Sequence, residues 1–177
     1  GGRVVRSRGL FLTTGFAAAM GGVFRAVPNV QADVRLPAIV GDNMVLQQNS
    51  EVAVWGWASP GEKVVVKGEW GEASKEAVAD EHGKWRSMLK TPKAGGPFGV
   101  TVTGNNTLTL KNVMIGEVWV CSGQSNMEWR LEQAEGGAEA VKAATHKDLR
   151  LFMVRNTVAA RPADDCVTEG GGWRVSE

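Results

Sequence analysis

From residue 34 to residue 113 the chain is a series of short apolar runs, most with a period of two, broken by turn formers. V-R-L-P-A-I-V leads to Gly41-Asp42-Asn43, and M-V-L-Q-Q follows. E-V-A-V-W-G-W-A ends at Ser59-Pro60-Gly61, and K-V-V-V-K-G runs to Gly68. A-S-K-E-A-V-A-D meets K-W-R-S-M-L-K across Glu81-His82-Gly83 as a hairpin, and F-G-V-T-V-T and T-L-T-L-K-N-V flank Gly104-Asn105-Asn106. Successive side chains of a strand point to opposite faces, so alternation gives each run one apolar and one polar face. Val52 and Val54 against Ala53 and Trp55 are an example. Two layers must face each other to hide the apolar sides, so residues 33–113 are predicted to form an antiparallel β-sandwich.

The pattern changes at Met114. M-I-G-E-V-W-V-C is nearly all apolar, which suits a strand buried on both faces in a parallel sheet. After Ser122-Gly123-Gln124, the residues Met127, Leu131, Ala134, Ala138 and Val141 recur at helical spacing, interrupted by Gly136-Gly137. L-R-L-F-M-V, residues 149–154, reads as a second strand, and the three pieces together read as a βαβ unit. Residues 114–177 are too few for a doubly wound sheet with helices on both faces, so they are predicted to be the incomplete start of an α/β domain.

Composition narrows the function classes. Of 177 residues, 43% are hydrophobic and 22% charged, as in a soluble globular protein. The net charge of +1 and the lack of a basic run with aromatics argue against nucleic-acid binding. Seven tryptophans accompany no tyrosine, and for most of them core packing is the default expectation. Arg3, Arg6 and Arg8 precede the weakly apolar run Gly9 to Phe24, and Val30-Gln31-Ala32 offers a cleavage site before Asp33. Residues 1–32 are therefore expected to be a signal peptide or leader, and the protein to be exported, periplasmic or secreted. The run is too short and too rich in glycine for stable membrane insertion. The chain starts at Gly1 rather than at a methionine, which suggests a piece of a longer protein. Nothing in it bears on oligomeric state.

The remaining chemistry is sparse. Cys121, at the end of an apolar run, reads as a buried free thiol, and whether it pairs with Cys166 is open. The histidines are His82, in a turn, and His146. No Cys/His cluster has zinc-ligand spacing, so neither a metal nor a cofactor is expected.

The turn at Ser125 carries most of the interest. In open parallel sheets, chemistry gathers at the carboxyl ends of the strands. A serine between strand and helix has an exposed hydroxyl, near backbone N–H groups that can face a developing oxyanion. Gly123 would let the turn tighten and a substrate approach the backbone. Yet Ser125-Asn126-Met127-Glu128 also fits S-x-x-E, a helix capping box, and spacing alone favours that cap. The local pattern is not the G-x-S-x-G elbow of α/β-hydrolases.

G-E-V-W-V-C-S-G-Q-S-N-M-E-W resembles the first block of the sialate O-acetylesterase family, a branch of the SGNH hydrolases. L-P-A-I-V-G-D-N-M-V-L-Q-Q, V-W-G-W-A-S-P-G-E and D-E-H-G-K-W-R resemble that family's N-terminal β domain, in the same order. The resemblance implies a β domain followed by an α/β/α, flavodoxin-like SGNH-hydrolase domain, here truncated. It implies metal-free removal of O-acetyl groups from a sugar or glycan. Ser125 would be the nucleophile, with its own N–H in the oxyanion hole and Gly123, Gln124 and Asn126 around it. Ser122 would be a turn residue.

The base is the point of departure. A serine nucleophile needs a histidine oriented by a carboxylate, and the family takes both from a late D-x-x-H block. None occurs in this chain, so it contains neither the catalytic His nor the catalytic Asp and is expected to be inactive by itself. Two alternatives remain. One is an esterase for acetylated xylan or another plant polysaccharide. The other is a non-catalytic secreted carbohydrate-binding β-sandwich that stacks sugars on Trp55, Trp57 and Trp70.

Overall fold

The computed structural model describes residues 33–71 and 74–176. The expected leader at 1–32 lies outside the described residues. Seven strands come first: β1 (Val45–Gln47), β2 (Glu51–Trp57), β3 (Lys63–Gly68), β4 (Lys75–Val78), β5 (Lys84–Lys90), β6 (Gly95–Thr103) and β7 (Thr107–Gly116). They form a five-stranded sheet in the order β1-β7-β6-β3-β4 and a two-stranded ribbon of β2 and β5.

Alternation builds both. In β5 Trp85, Ser87 and Leu89 are buried while the residues between them are exposed, and in β3 Val64 and Val66 are fully buried. Val54 of β2 and Leu89 of β5 join Val64, Val66, Val100, Val102, Leu110 and Val113 of the large sheet in one core. The strand-rich character expected from the period of two is therefore present, and the two sheets share their buried side.

Three pairings differ from expectation. β1 and β7 run parallel, with Gln47 opposite Gly116. A long connection separates them, and only short hairpin loops force antiparallel pairing. The segments on either side of Glu81-His82-Gly83 do not form a hairpin ladder: β4 pairs with β3, and β5 pairs with β2. The turn passes the chain from one sheet to the other. Asp80 holds it by accepting the N–H groups of His82 (2.9 Å) and Lys84 (2.8 Å). Gly83 sits at φ +73, where an added Cβ would also lie 2.6 Å from the Ala58 carbonyl oxygen. Finally, V-R-L-P-A-I-V is no strand; it touches the ribbon through one bridge, Arg35 to Trp57.

A carboxylate ties two distant turns together. Buried Glu62 accepts the N–H of Ser59 at 2.9 Å and that of Asn105 at 2.7 Å. Such bonds offset the cost of burying its charge.

Beyond β7 the chain is of another kind. The strand expected at Met114–Cys121 does not form as one piece. Met114 to Gly116 finish β7, and residues 117–124 have no regular structure, with Trp119 84% and Val120 90% exposed. The helix expected through Met127 to Val141 is instead two 3₁₀ turns, Ser125–Glu128 and Leu131–Gln133, and one helix, α1 (Gly137–Ala143). The second expected strand appears as β8 (His146–Leu151), antiparallel to β9 (Arg174–Ser176). Among the described residues there is thus no βαβ unit. A parallel strand with two apolar faces needs cover on both sides, and Val118 to Val120 have no neighbouring strand to supply it.

The core expectation for most tryptophans also fails. Only Trp85 is buried, at 3% exposure; Trp57, Trp70 and Trp173 are half-buried, and Trp55, Trp119 and Trp129 are exposed. Cys121 is exposed rather than buried, and both cysteines are free. No helix among the described residues is long and apolar enough to cross a membrane.

Candidate active site

Ser125 opens the first 3₁₀ turn, directly after the extended segment that leaves β7. Gln124 is the cap residue, in extended conformation, and its carbonyl accepts the Met127 N–H at 2.8 Å. The capping box proposed for Ser125 and Glu128 is absent: no side chain caps this turn. Glu128 instead accepts a bond from the Asn156 side chain at 2.7 Å. The turn begins at Ser125 itself, so that Gln124 rather than Ser125 stands at the cap position such a box requires. The serine hydroxyl is therefore not consumed by helix capping.

Ser122, Gly123, Gln124, Ser125 and Asn126 are all exposed and adjacent. Gly123 is not in the left-handed region; its role is spatial. A Cβ there would come 2.8 Å from the Met127 side chain, which folds back over the turn. Gly123, Gln124, Ser125 and Asn126 form an open surface rather than an enclosed pocket.

The histidines are elsewhere. His82 lies in the β4–β5 turn, 3.7 Å from the exposed carboxylate of Glu81. His146 is the exposed first residue of β8, paired in register with Ser176. Neither hydrogen-bonds to Ser125. Among the described residues no cluster of three His, Cys, Asp or Glu side chains has the geometry to hold a metal.

What precedes the serine is more strongly held than the serine itself. Glu117, the first residue after β7, accepts a bond from the Gln48 side chain at 2.6 Å and one from the Gln47 side chain at 3.1 Å. The Gln47 side-chain oxygen accepts the Val118 N–H at 2.9 Å. These bonds hold the Glu117 carboxyl below its ordinary pKa, Gln48 contributing most. This contact is not legible in the sequence, because its partners lie about seventy residues apart and no local period links them.

The three tryptophans considered as sugar platforms are partly engaged. Trp70 donates its indole N–H to the Lys90 carbonyl at 2.9 Å and meets Phe98 edge-on, with centroids 5.8 Å apart. Arg35 lies over the Trp57 ring at 5.4 Å. Trp55 lies on the same face of β2 as Trp57.

The chain is similar to known proteins. The chain is 31% identical over 150 residues to the sialate O-acetylesterase of Mus musculus, covering 78% of this chain and 28% of that protein. It is likewise 31% identical over 150 residues to the one of Homo sapiens, covering 78% of this chain and 29% of that protein. Over the matched residues the chain is homologous to these sialate O-acetylesterases. A solved structure of a carbohydrate acetylesterase from Xanthomonas citri superposes with a TM-score of 0.74 and 35% identity, over 81% of this chain and 32% of that one. No family model matches the chain. The chain thus spans less than a third of the length of these sialate O-acetylesterases and of the solved acetylesterase.

Proposed function

We propose that this chain carries the nucleophile of a serine-dependent carbohydrate acetylesterase. The observation that carries the reading is the exposed Ser125 with a hydroxyl free of capping, on a chain that matches sialate O-acetylesterases and a carbohydrate acetylesterase. In the proposed reaction Ser125 Oγ attacks the acetyl carbonyl and the sugar hydroxyl leaves. Water then releases acetate from the acyl-enzyme. The N–H of Ser125 faces the oxyanion, with Gln124 and Asn126 beside it.

The base is neither His82 nor His146, because both stand on other elements without contact to Ser125. A histidine and carboxylate from outside this chain would complete the triad. The division into a β-sandwich at 33–113 and an incomplete SGNH-hydrolase domain at 114–177 is part of this proposal, as is export directed by residues 1–32. Support for the first comes from the shared core of the two sheets, and from the change in character past β7.

The substrate class is an O-acetylated sugar, by analogy with both groups of relatives. The test is a chimera in which this chain replaces the matching residues of a sialate O-acetylesterase. It is expected to release acetate from O-acetylated sialic acid, and Ser125→Ala is expected to lower kcat by at least ~10³-fold. Turnover that survives Ser125→Ala would remove the serine from its role. The chain alone is expected to give almost no acetate.

A further inference from the structure

The Ser125 segment leaves the large sheet at a built joint. β1 is only three residues long, and Leu46 at its centre packs against the core. Strand periodicity therefore turns Gln47 to the opposite side from Leu46. Directly after β1, the Gln48 N–H donates to the Gly116 carbonyl at 2.8 Å, so the end of β1 is fastened to the end of β7. Both glutamine side chains then reach Glu117, and Gln47 also accepts the Val118 N–H.

The glutamines are themselves held from behind. Buried Thr91, at the end of β5, donates its hydroxyl to the Gln47 carbonyl at 2.6 Å. Gln48 Oε1 accepts the Ala94 N–H at 2.9 Å. The Asn49 N–H donates to the Pro92 carbonyl at 2.9 Å, and Asn49 sits in the left-handed region at φ 48, which asparagine tolerates well. The β5–β6 connection thus fixes the Gln48 side-chain amide and the Gln47 backbone, and the two glutamine side chains fix Glu117.

Past Val118 these anchors stop. Trp119 and Val120 are almost fully exposed, and residues 119–124 take no bond from the β strands. The direction in which the chain sets out toward Ser125 is therefore decided at one carboxylate and one N–H.

We propose that Glu117, gripped by Gln47 and Gln48, is a positioning residue that sets where Ser125 stands relative to the β sheets. It touches no substrate and acts only through the segment it orients. Amide side chains suit this task. Each offers both a donor and an acceptor, so the pair can hold a carboxylate and a backbone N–H together. The bonds to the ionised acceptor are the stronger and more directional kind. The proposal rests on Ser125 being the nucleophile only for its significance; the geometry it asserts is measurable without catalysis.

The test uses the full chain with Cys121→Ser and Cys166→Ser, and spin labels at Ser125→Cys and at Lys67→Cys on β3. Pulsed-dipolar distance measurement is expected to give one narrow distribution when Glu117 is present. Glu117→Ala and Gln47→Ala are each expected to widen it about twofold or more, as the segment gains local freedom. Glu117→Gln, which keeps one accepting oxygen, is expected to fall between. The melting midpoint of the β core should stay within about 2 °C throughout. An unchanged width in both alanine variants, or a distribution already broad with Glu117 in place, overturns the proposal. If Glu117→Ala lowers the melting midpoint further than this, Gln47→Ala decides by the same criterion. Widening together with an acetylesterase chimera indifferent to Ser125→Ala would keep the joint and discard the nucleophile. Unchanged width with a Ser125-dependent chimera would do the reverse.

Discussion

Residues 33–116 and residues 117–176 use apolar side chains in opposite ways. In the first part, Val54, Val64, Val66, Leu89, Val100, Val102 and Val113 are all at 0% exposure. In the second, Trp119, Val120, Met127, Trp129, Leu131, Val141 and Met153 are all exposed. Both parts are rich in hydrophobic residues, so composition does not separate them. Closure does. A strand with one apolar face needs a single partner layer, and β2 with β5 supplies it to β3, β6 and β7. A strand apolar on both faces needs two, and the segment after Gly116 meets neither. Burial thus depends on having enough neighbouring layers as much as on how apolar the segment is.

The sharpest way to break this comparison is a pair of truncations. Leu89→Ala is expected to cost about 2–5 kcal/mol in chemical denaturation, while Trp119→Ala, on a larger side chain, is expected to stay within about 0.5 kcal/mol. Equal losses would mean that Trp119 is packed as firmly as Leu89.

Gly56→Ala probes how tightly the first region closes. A Cβ there would run into the Arg35 carbonyl, which accepts the Trp57 N–H at 2.9 Å. The substitution is expected to cost about 1–3 kcal/mol by overpacking, and to free the Arg35–Trp57 amides in hydrogen exchange.

Ser125→Ala is the matching probe in the second region. Because the hydroxyl caps no turn, stability is expected to change by less than about 0.5 kcal/mol. A loss of about 1 kcal/mol or more would restore the helix cap.

The smallest effects are electrostatic. Asp80 titrates below the ordinary aspartate value of 3.8, chiefly because it accepts the Lys84 N–H. A depressed folded pKa contributes stability above the unfolded value, and that stability is lost as pH falls through the folded one. Glu117 follows the same sign, through Gln48 and then Gln47. Lys84 is raised by its 2.6 Å bond to Asp164, which ties β5 to the second region, and its contribution is lost as pH rises through the folded value. NMR titration checks all three. Gln47→Ala with Gln48→Ala should return Glu117 toward its ordinary range and leave Asp80 unmoved. Movement of both would mean that the two regions titrate as one.

Wherever burial follows a local period, the fold was legible. β2, β3, β5, β6 and β7 lie where alternation put them, because each side chain's face is set by its position along its own strand. The turn at 80–84 was legible as a turn, but its partners were not: alternation says which face is buried and is silent on which strand lies alongside. The helix through Met127 to Val141 had the right period and no surface to bury it against, and short helices gain most of their stability from such packing.

The sequence by itself determined β2, β3, β5, β6 and β7 and their inward faces, because each is encoded within a few residues of itself. Only the tertiary structure decided that β1 lies parallel to β7, that Ser125 is uncapped while Glu128 goes to Asn156, and that Glu117 is held by Gln47 and Gln48. Those contacts join residues far apart along the chain. They exist only after the sheets have closed and brought their ends together.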